Sequence, residues 1–393
     1  MTPAARAQAA IELLDAIVAA ARDAGPAADT IIARYFRTRR YAGSKDRRAV
    51  RELVFRAIRR AGERPGSGRA ALLGLAGDAP ELGELFDGSP HGPAPIAKGE
   101  AGAEPGIAPE WLLSRLDPAV APGELPALLG RAPLDLRVNR LKGTRPEALL
   151  ALADAVPTPQ SPIGLRLADG FQVERTPAWG SGLVEVQDEG SQLICLACEA
   201  RPEDLVVDLC AGAGGKTLAL AAEMANRGRI VACDADRTRL ARIEPRLTRA
   251  GIANVDARLL DPGRERDILS DLTGRADLVL VDAPCSGTGT WRRNPETRWR
   301  ITPRRLAGLV KLQAHLLDVA AELVRPGGHL VYAVCSLLAE EGRDQAAALT
   351  RRSSLVPAPL LIPAGRSAGP GRLLSPARDG TDGFFVARWQ RPC

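Results

Sequence analysis

The sequence predicts an α/β fold: a doubly wound, mostly parallel sheet preceded by an all-helical region. Three observations predict it. Short apolar runs alternate with helical periods from residue 204 onward, the pattern of strands that return to one sheet through crossover helices. A glycine-rich turn, Cys210-Ala-Gly-Ala-Gly-Gly-Lys-Thr217, joins the first of these runs to a helix. Two later runs end in a cysteine, Leu280-Val-Asp-Ala-Pro-Cys285 and Leu330-Val-Tyr-Ala-Val-Cys335. Runs apolar on both faces read as buried parallel strands, and open α/β sheets bind ligands at the carboxyl ends of such strands.

The elements follow in order. Ala9, Leu13, Ile17 and Ala20 repeat at helical spacing, as do Val50, Leu53, Val54 and Ile58, so residues 2–61 read as helices. Between them lie Arg37, Arg39, Arg40, Lys45, Arg47 and Arg48, which fit either a solvated face or one that meets phosphates. Residues 62–109 are rich in Gly and Pro and read as a loosely packed helical end plus linker. Leu134–Asn139 alternates as a strand does; with a helix from Arg145 and a strand near Gly164–Leu167 it predicts a small α+β module. Leu183–Gln187 leads into a helix near Gly190. The main strands are then expected at Leu205–Leu209, Ile230–Cys233, Leu278–Asp282 and Leu330–Val334. The main helices are expected at Thr217–Ala225, Arg237–Ala250, Arg304–Val324 and Glu341–Arg351.

At 393 residues the chain has room for two or three domains, and 45% apolar content is ample for their cores. Aromatic residues make up only 4%, which argues against a broad base-stacking platform. The excess of 53 Lys+Arg over 47 Asp+Glu is mild and fits a polyanionic partner without requiring one. No secretory signal and no membrane-length apolar run are seen, so a cytoplasmic protein with reduced thiols and no membrane partner is expected. Cys195-Leu-Ala-Cys198 has metal-type spacing, but no second pair accompanies it; core packing is expected there, with no metal site.

Three readings of the glycine turn compete. A phosphate-binding P-loop needs glycine where Cys210 stands, and the dinucleotide fingerprint needs glycine where Thr217 stands. S-adenosylmethionine has no pyrophosphate; it needs glycines for close backbone approach and acids nearby. Asp208 precedes the turn, and Asp234 ends the next strand, where an acid can accept from ribose hydroxyls. Asp261 follows a third strand and could sit by the adenine amine. The competing reading of Asp234 is a helix cap before Arg237. Two thiols at neighbouring strand tips beside such a loop suggest covalent chemistry on a base. Cytosine fits, because its carbon 5 is a poor nucleophile until a thiolate adds at carbon 6.

Together these residues resemble the RsmB/NOP/SUN family of RNA 5-methylcytosine methyltransferases. Asp208–Thr217 is similar to its cofactor motif, Asp282–Thr290 with Arg292-Arg-Asn-Pro295 to its proline-cysteine motif, and Tyr332–Ser336 with Glu340-Glu341 to its threonine-cysteine motif. Leu136–Arg140 and Val186–Gln192 resemble family signatures outside that core. Lys45–Phe55 resembles the NusB-like domain of the bacterial RsmB subgroup. Two departures stand out: Ala211-Gly212-Ala213 replaces Ala-Ala-Pro, and Val334 replaces threonine.

The resemblance implies a class I Rossmann-like methyltransferase core at 181–393, an RRM-like module at 107–180, and a NusB-like RNA-binding domain plus linker at 1–106. It implies Cys335 as nucleophile and Cys285 as the thiol that resolves the adduct, with Asp282 and Lys216 assisting. Cys210, Ala211, Gly212, Ala213, Gly214, Gly215, Lys216, Asp234, Asp261 and Asp282 would hold S-adenosylmethionine. RNA is the implied partner, with 16S rRNA as substrate. The rivals are a transfer RNA methyltransferase of the same family and a non-catalytic RNA-binding assembly factor. Nothing in the sequence demands more than a monomer. Arg292, Arg293, Arg298, Arg300, Arg304 and Arg305 could grip phosphates, and Trp291 or Trp299 could stack on a base, although packing is the commoner role for a tryptophan. Deleting residues before about 107 is expected to weaken RNA binding and to spare cofactor binding.

Overall fold

The computed structural model describes residues 1–23, 25–168 and 170–393. Its contacts gather into two units: residues 1–116, 125–130 and 290–303 form one, and residues 117–124, 131–289 and 304–393 the other.

The first unit is helical. It holds α1 (Pro3–Arg22), α2 (Ala28–Thr38), α3 (Ser44–Arg60), α4 (Gly68–Asp78) and the short α5 (Glu110–Leu113). Thr2 caps α1 by accepting from the Ala5 amide at 3.1 Å. Asp46 in the first turn of α3 accepts from the Gly43 amide, Arg6 and the N-terminal amine. Leu13, Leu14 and Ile17 of α1 meet Val50, Val54 and Ile58 of α3 in one fully buried cluster, each side chain worth ~1.5–3 kcal/mol of burial. The stretch expected to pack loosely departs from that reading. Leu72, Leu73 and Leu75 of α4 belong to the same core. A helix built of Gly, Ala and Leu is apolar on most of its surface, so its sequence shows composition and little periodicity.

The second unit begins with a four-stranded antiparallel sheet in the order β2-β3-β1-β4. Its elements are β1 (Leu134–Val138), α6 (Arg145–Ala151), β2 (Val156–Pro157), β3 (Gly164–Leu167), α7 (Pro177–Gly180) and β4 (Val184–Val186). Thr144 and Glu147 form a capping box at the start of α6. The chain then enters α8 (Glu189–Cys198), β5 (Leu205–Asp208), α9 (Gly215–Glu223), β6 (Arg229–Asp234), α10 (Arg237–Leu240), α11 (Ile243–Ala250), β7 (Val255–Leu259), α12 (Glu265–Ile268), β8 (Ala276–Asp282), α13 (Pro303–Leu323), β9 (Val324–Val334) and α14 (Arg343–Arg352). It ends in β10 (Val356–Pro357), β11 (Arg366–Ala368), β12 (Gly371–Leu374), α15 (Pro376–Asp379) and β13 (Phe384–Gln390).

The large sheet runs β11-β12-β13-β9-β8-β5-β6-β7, with β10 beside β13. The pairs β5–β6, β5–β8, β6–β7 and β8–β9 are parallel. From β5 the chain winds outward through β6 and β7, then returns to β8 on the other side. The switch point of the fold therefore lies between the carboxyl ends of β5 and β8. The antiparallel flank formed by β10–β13 was not expected from sequence. Phe384–Trp389 is buried throughout, so it shows no alternation, and β10, β11 and β12 are only two to four residues long. No described helix is long and apolar enough to cross a membrane.

Candidate active site at the switch point

A cleft of about 350 Å³ opens where β5 ends. Cys210, Ala211, Ala213, Gly215 and Lys216 line it from the glycine loop, Asp282 from the end of β8, and Asp208 from β5. Gly212 and Gly214 shape the loop from behind, both at positive φ (57° and 84°). A Cβ on Gly214 would lie 2.4 Å from Cγ1 of Ile243, so only glycine fits there.

Burial gives the acids different states. Asp208 is fully buried. Its Oδ2 accepts from the Thr217 hydroxyl at 2.6 Å, while its Oδ1 has no protein partner. Burial pushes its pKa up to about 7; the Thr217 hydrogen bond opposes the rise and the charge of Asp282 adds to it. Lys216 Nζ lies 2.6 Å from Asp282 Oδ2. Burial, the largest single influence, disfavours the ammonium, but the Asp282 carboxylate together with Cys195 and Cys335 holds Lys216 above the ordinary lysine range.

Asp234 ends β6 and Asp261 follows β7. Neither is among the residues lining the cleft. Asp234 Oδ2 accepts from the Gly212 amide and Oδ1 from the Asp236 amide, both at 2.7 Å, so its carboxylate ties the glycine turn to β6. The helix cap, the competing reading of Asp234, is made by Asp236, which accepts from the Thr238 and Arg239 amides. Asp261 is exposed after β7. Sequence reasoning missed Gln187, Asp188, Ser191, Arg239 and Arg246, which also line the cleft. The first three lie in the Val186–Gln192 run that resembles the family. Arg137 explains how that run is placed: buried, it donates to Gln187 Oε1 at 2.7 Å and to the Gly215 carbonyl at 2.9 Å.

These features fit S-adenosylmethionine. The glycine loop lets the backbone approach closely. Asp188 and Asp282 offer acceptors and negative charge to a cation, and Asp208 adds a carboxyl with one unpartnered oxygen. Arg239 and Arg246 suit a carboxylate.

The two cysteines meet beside this loop. Cys285 Sγ and Cys335 Sγ are 3.3 Å apart, within hydrogen-bond reach. Parallel pairing of β8 with β9 brings them together, with Asp282 opposite Ala333, and the Gly289 amide donates to the Cys335 carbonyl at 3.0 Å. The hydrogen bond with Cys335, then burial, pushes the Cys285 thiol well up. Either sulfur can be the donor in that contact. Cys195 and Cys198 are buried in α8, and burial pushes both thiols up, Cys195 to about 11, as for inert core cysteines.

The arginines after Cys285 divide: Arg292 and Arg298 are buried, whereas Arg304 and Arg305 are exposed. Trp291 and Trp299 are buried, in the packing role that was the commoner expectation for them, and neither is presented for stacking. Arg298 is fully buried, and Arg300 donates to the Gly25 and Pro26 carbonyls.

The family described as 16S rRNA methyltransferase RsmB/F matches residues 195–390. The chain is 37% identical over 308 residues to ribosomal RNA small subunit methyltransferase B of Sodalis glossinidius, covering 75% of this chain and 68% of that protein. It is 36% identical over 288 residues to the protein of the same name in Enterobacter sp. (strain 638), covering 71% of this chain and 65% of the relative. The chain thus spans about two thirds of the length of the curated relatives it matches. A crystal structure of PH0851 shares the fold over 100% of this chain and 99% of its own, with TM-score 0.77 and 24% identity. A methyltransferase homolog from Pyrococcus horikoshii matches with TM-score 0.61 and 28% identity, over 68% of this chain and 89% of its own. The chain belongs to the family of RsmB/F 16S rRNA methyltransferases.

Proposed function

We propose that the protein transfers a methyl group from S-adenosylmethionine to carbon 5 of a cytosine in RNA, with 16S rRNA as substrate. One observation carries the reaction: two thiols 3.3 Å apart at the ends of adjacent parallel strands, beside a cleft suited to the cofactor. Pure RNA binding needs neither thiol. What supports 16S rRNA is the name borne by the relatives, ribosomal RNA small subunit methyltransferase B.

Bound in the cleft, S-adenosylmethionine would supply an electrophilic methyl group. Cys335, as thiolate, adds to carbon 6 of the cytosine, and the ring electrons shift so that carbon 5 becomes nucleophilic. After carbon 5 is methylated, its proton passes to a water acting as base, the electrons of that bond expel Cys335 as thiolate from carbon 6, and the aromatic ring is restored. Cys285, held as a thiol, stabilises the sulfur of Cys335 by hydrogen bonding and assists its departure. Asp282, oriented by Lys216, faces the cleft from the strand that leads to Cys285 and can accept from the cytosine amine. We further assign residues 1–106 to RNA binding, with Arg37, Arg40, Lys45 and Arg48 exposed on that unit. Residues 107–180 and 181–393 would act as the RRM-like module and the methyltransferase domain.

The test is transfer of labelled methyl groups to unmodified 16S rRNA and to tRNA, with nucleoside analysis by mass spectrometry. 5-Methylcytidine on 16S rRNA, lost in Cys335→Ala and trapped as a covalent adduct in Cys285→Ala, is expected. 5-Methylcytidine only on tRNA would move the substrate. None on either RNA, or on 30S particles, would remove the catalytic reading.

A further inference from the structure

Glu341 is fully buried and hydrogen-bonds to neither thiol, although its charge helps to raise the Cys285 thiol; its bonds go to both cysteine loops. Its Oε1 accepts from the Ser286 amide at 2.8 Å and from Gln313 Nε2 at 2.9 Å. Its Oε2 accepts from the Ser336 hydroxyl at 2.6 Å and from the Ser286 hydroxyl. Ser286 and Ser336 are the residues that directly follow Cys285 and Cys335. Gln313 also donates to the carbonyl of Pro284, just before Cys285, at 2.9 Å. The anchor is itself fixed, because the Tyr332 hydroxyl donates to the Glu341 carbonyl at 2.6 Å.

We propose that Glu341 is a positioning residue that sets the distance between Cys285 and Cys335. Its catalytic meaning rests on the roles given to those thiols under Proposed function. An ionised carboxylate only accepts hydrogen bonds, so it can gather donors from two loops at one point. Three of its four bonds come from the residues adjoining the two thiols. A network that merely filled a polar gap in the core would have no reason to choose those neighbours. Displacement of a reacting group by ~1 Å can cost ~100-fold in rate. Alanine at 341 strands the Ser286 amide and takes the shared acceptor from the Ser286 and Ser336 hydroxyls and Gln313, which keep as acceptors only each other, Thr288 and the Pro284 carbonyl. Glutamine keeps one carbonyl for the Ser286 and Gln313 donors, while the two hydroxyls can rotate to accept from its amide.

The experiment reads thiol geometry and catalysis separately. Diamide removes two protons and two electrons from a thiol pair, becoming the hydrazine as the disulfide forms. The rate of the Cys285–Cys335 disulfide, followed by mass spectrometry of linked peptides, therefore reports how the loops are set. Glu341→Ala is expected to slow it ~10-fold or more and to lower kcat ~100-fold, with the Kd for S-adenosylmethionine within ~2-fold of wild type. Glu341→Gln is expected to restore most of the disulfide rate. Cooperatively melting Glu341→Ala that forms the disulfide at the wild-type rate overturns the proposal. If Glu341→Ala does not fold, the double variant Ser286→Ala/Ser336→Ala keeps the carboxylate and must slow the disulfide at least ~3-fold; a wild-type rate there overturns it too. A Glu341-dependent disulfide rate in a protein that methylates no RNA would uphold the positioning role while the reaction reading fails.

Discussion

Lys216 and Asp282 join the glycine loop to the strand that leads to Cys285, through one contact of 2.6 Å. Lys216 is 12% exposed and Asp282 30%, so the pair is neither fully screened nor fully dry. Lys216→Met, Asp282→Asn and the double variant form a cycle in thermal stability. The coupling expected is about 1–2 kcal/mol, less than for a fully buried pair because water reaches Asp282. Additive single losses would show that the contact does not join loop to strand energetically.

Asp208 predicts a pH dependence of stability. Its native pKa is raised from 3.8 to about 7 by burial, so the folded protein holds the proton more tightly than the unfolded chain. The stabilisation is whole below pH 3.8 and is lost as pH rises through about 7. Asp208→Asn removes this titration. Melting curves across that range are expected to show wild type losing stability relative to Asp208→Asn as pH rises. A constant difference between the two proteins would contradict the raised pKa.

The parallel core was legible because its strands are continuous apolar runs and its turn is marked by glycine. The two cysteines were legible for the same reason, since each follows such a run. What escaped was pairing across the chain. Nothing local to Gln187 or Arg246 says that it faces a loop near residue 212; Arg137 and the small sheet bring Gln187 there, and Arg246 arrives on α11. Asp234 was found at the right strand end, but its partner there is the Gly212 amide. The arginines after Cys285 read as one basic patch because sequence records charge and not burial; Arg292 and Arg298 are buried, while Arg304 and Arg305 are exposed.

Gly289 sets how closely the loop after Cys285 can pass the end of the chain. Its carbonyl accepts from the Gly383 amide at 2.8 Å while its amide reaches the Cys335 carbonyl. A Cβ there would lie 1.9 Å from the Gly383 oxygen, a backbone atom that cannot turn aside. Gly289→Ala must therefore shift the loop, at a cost of about 1–3 kcal/mol. The expected result is a lower Tm together with slower diamide-driven pairing of Cys285 and Cys335. An unchanged pairing rate would mean that the shift is absorbed on the Gly383 side.

Arg298 predicts what removal of the helical region does. Its guanidinium donates to the Ile58, Arg59 and Ala61 carbonyls at the end of α3, and Trp299 Nε1 reaches Ala61 as well. Those carbonyls lack intrahelical partners, so the side chain serves as a buried C-terminal cap. Arg298→Ala leaves the Ile58 and Arg59 carbonyls unpaired and Ala61 with Trp299 alone, at about 3 kcal/mol; lysine keeps three donors on one nitrogen but loses the second nitrogen that donates to the Pro295 carbonyl. Both variants are expected to melt earlier, alanine more so. The same contacts bear on truncation. Deleting residues 1–106 removes the core in which Trp299 is buried, leaving Arg298 and Trp299 uncovered in the segment that follows the Cys285 loop. The truncated protein should therefore aggregate or lose its cooperative melting as well as RNA affinity. A soluble, cooperatively melting truncation with intact cofactor binding would show that residues 290–303 hold their shape without α3.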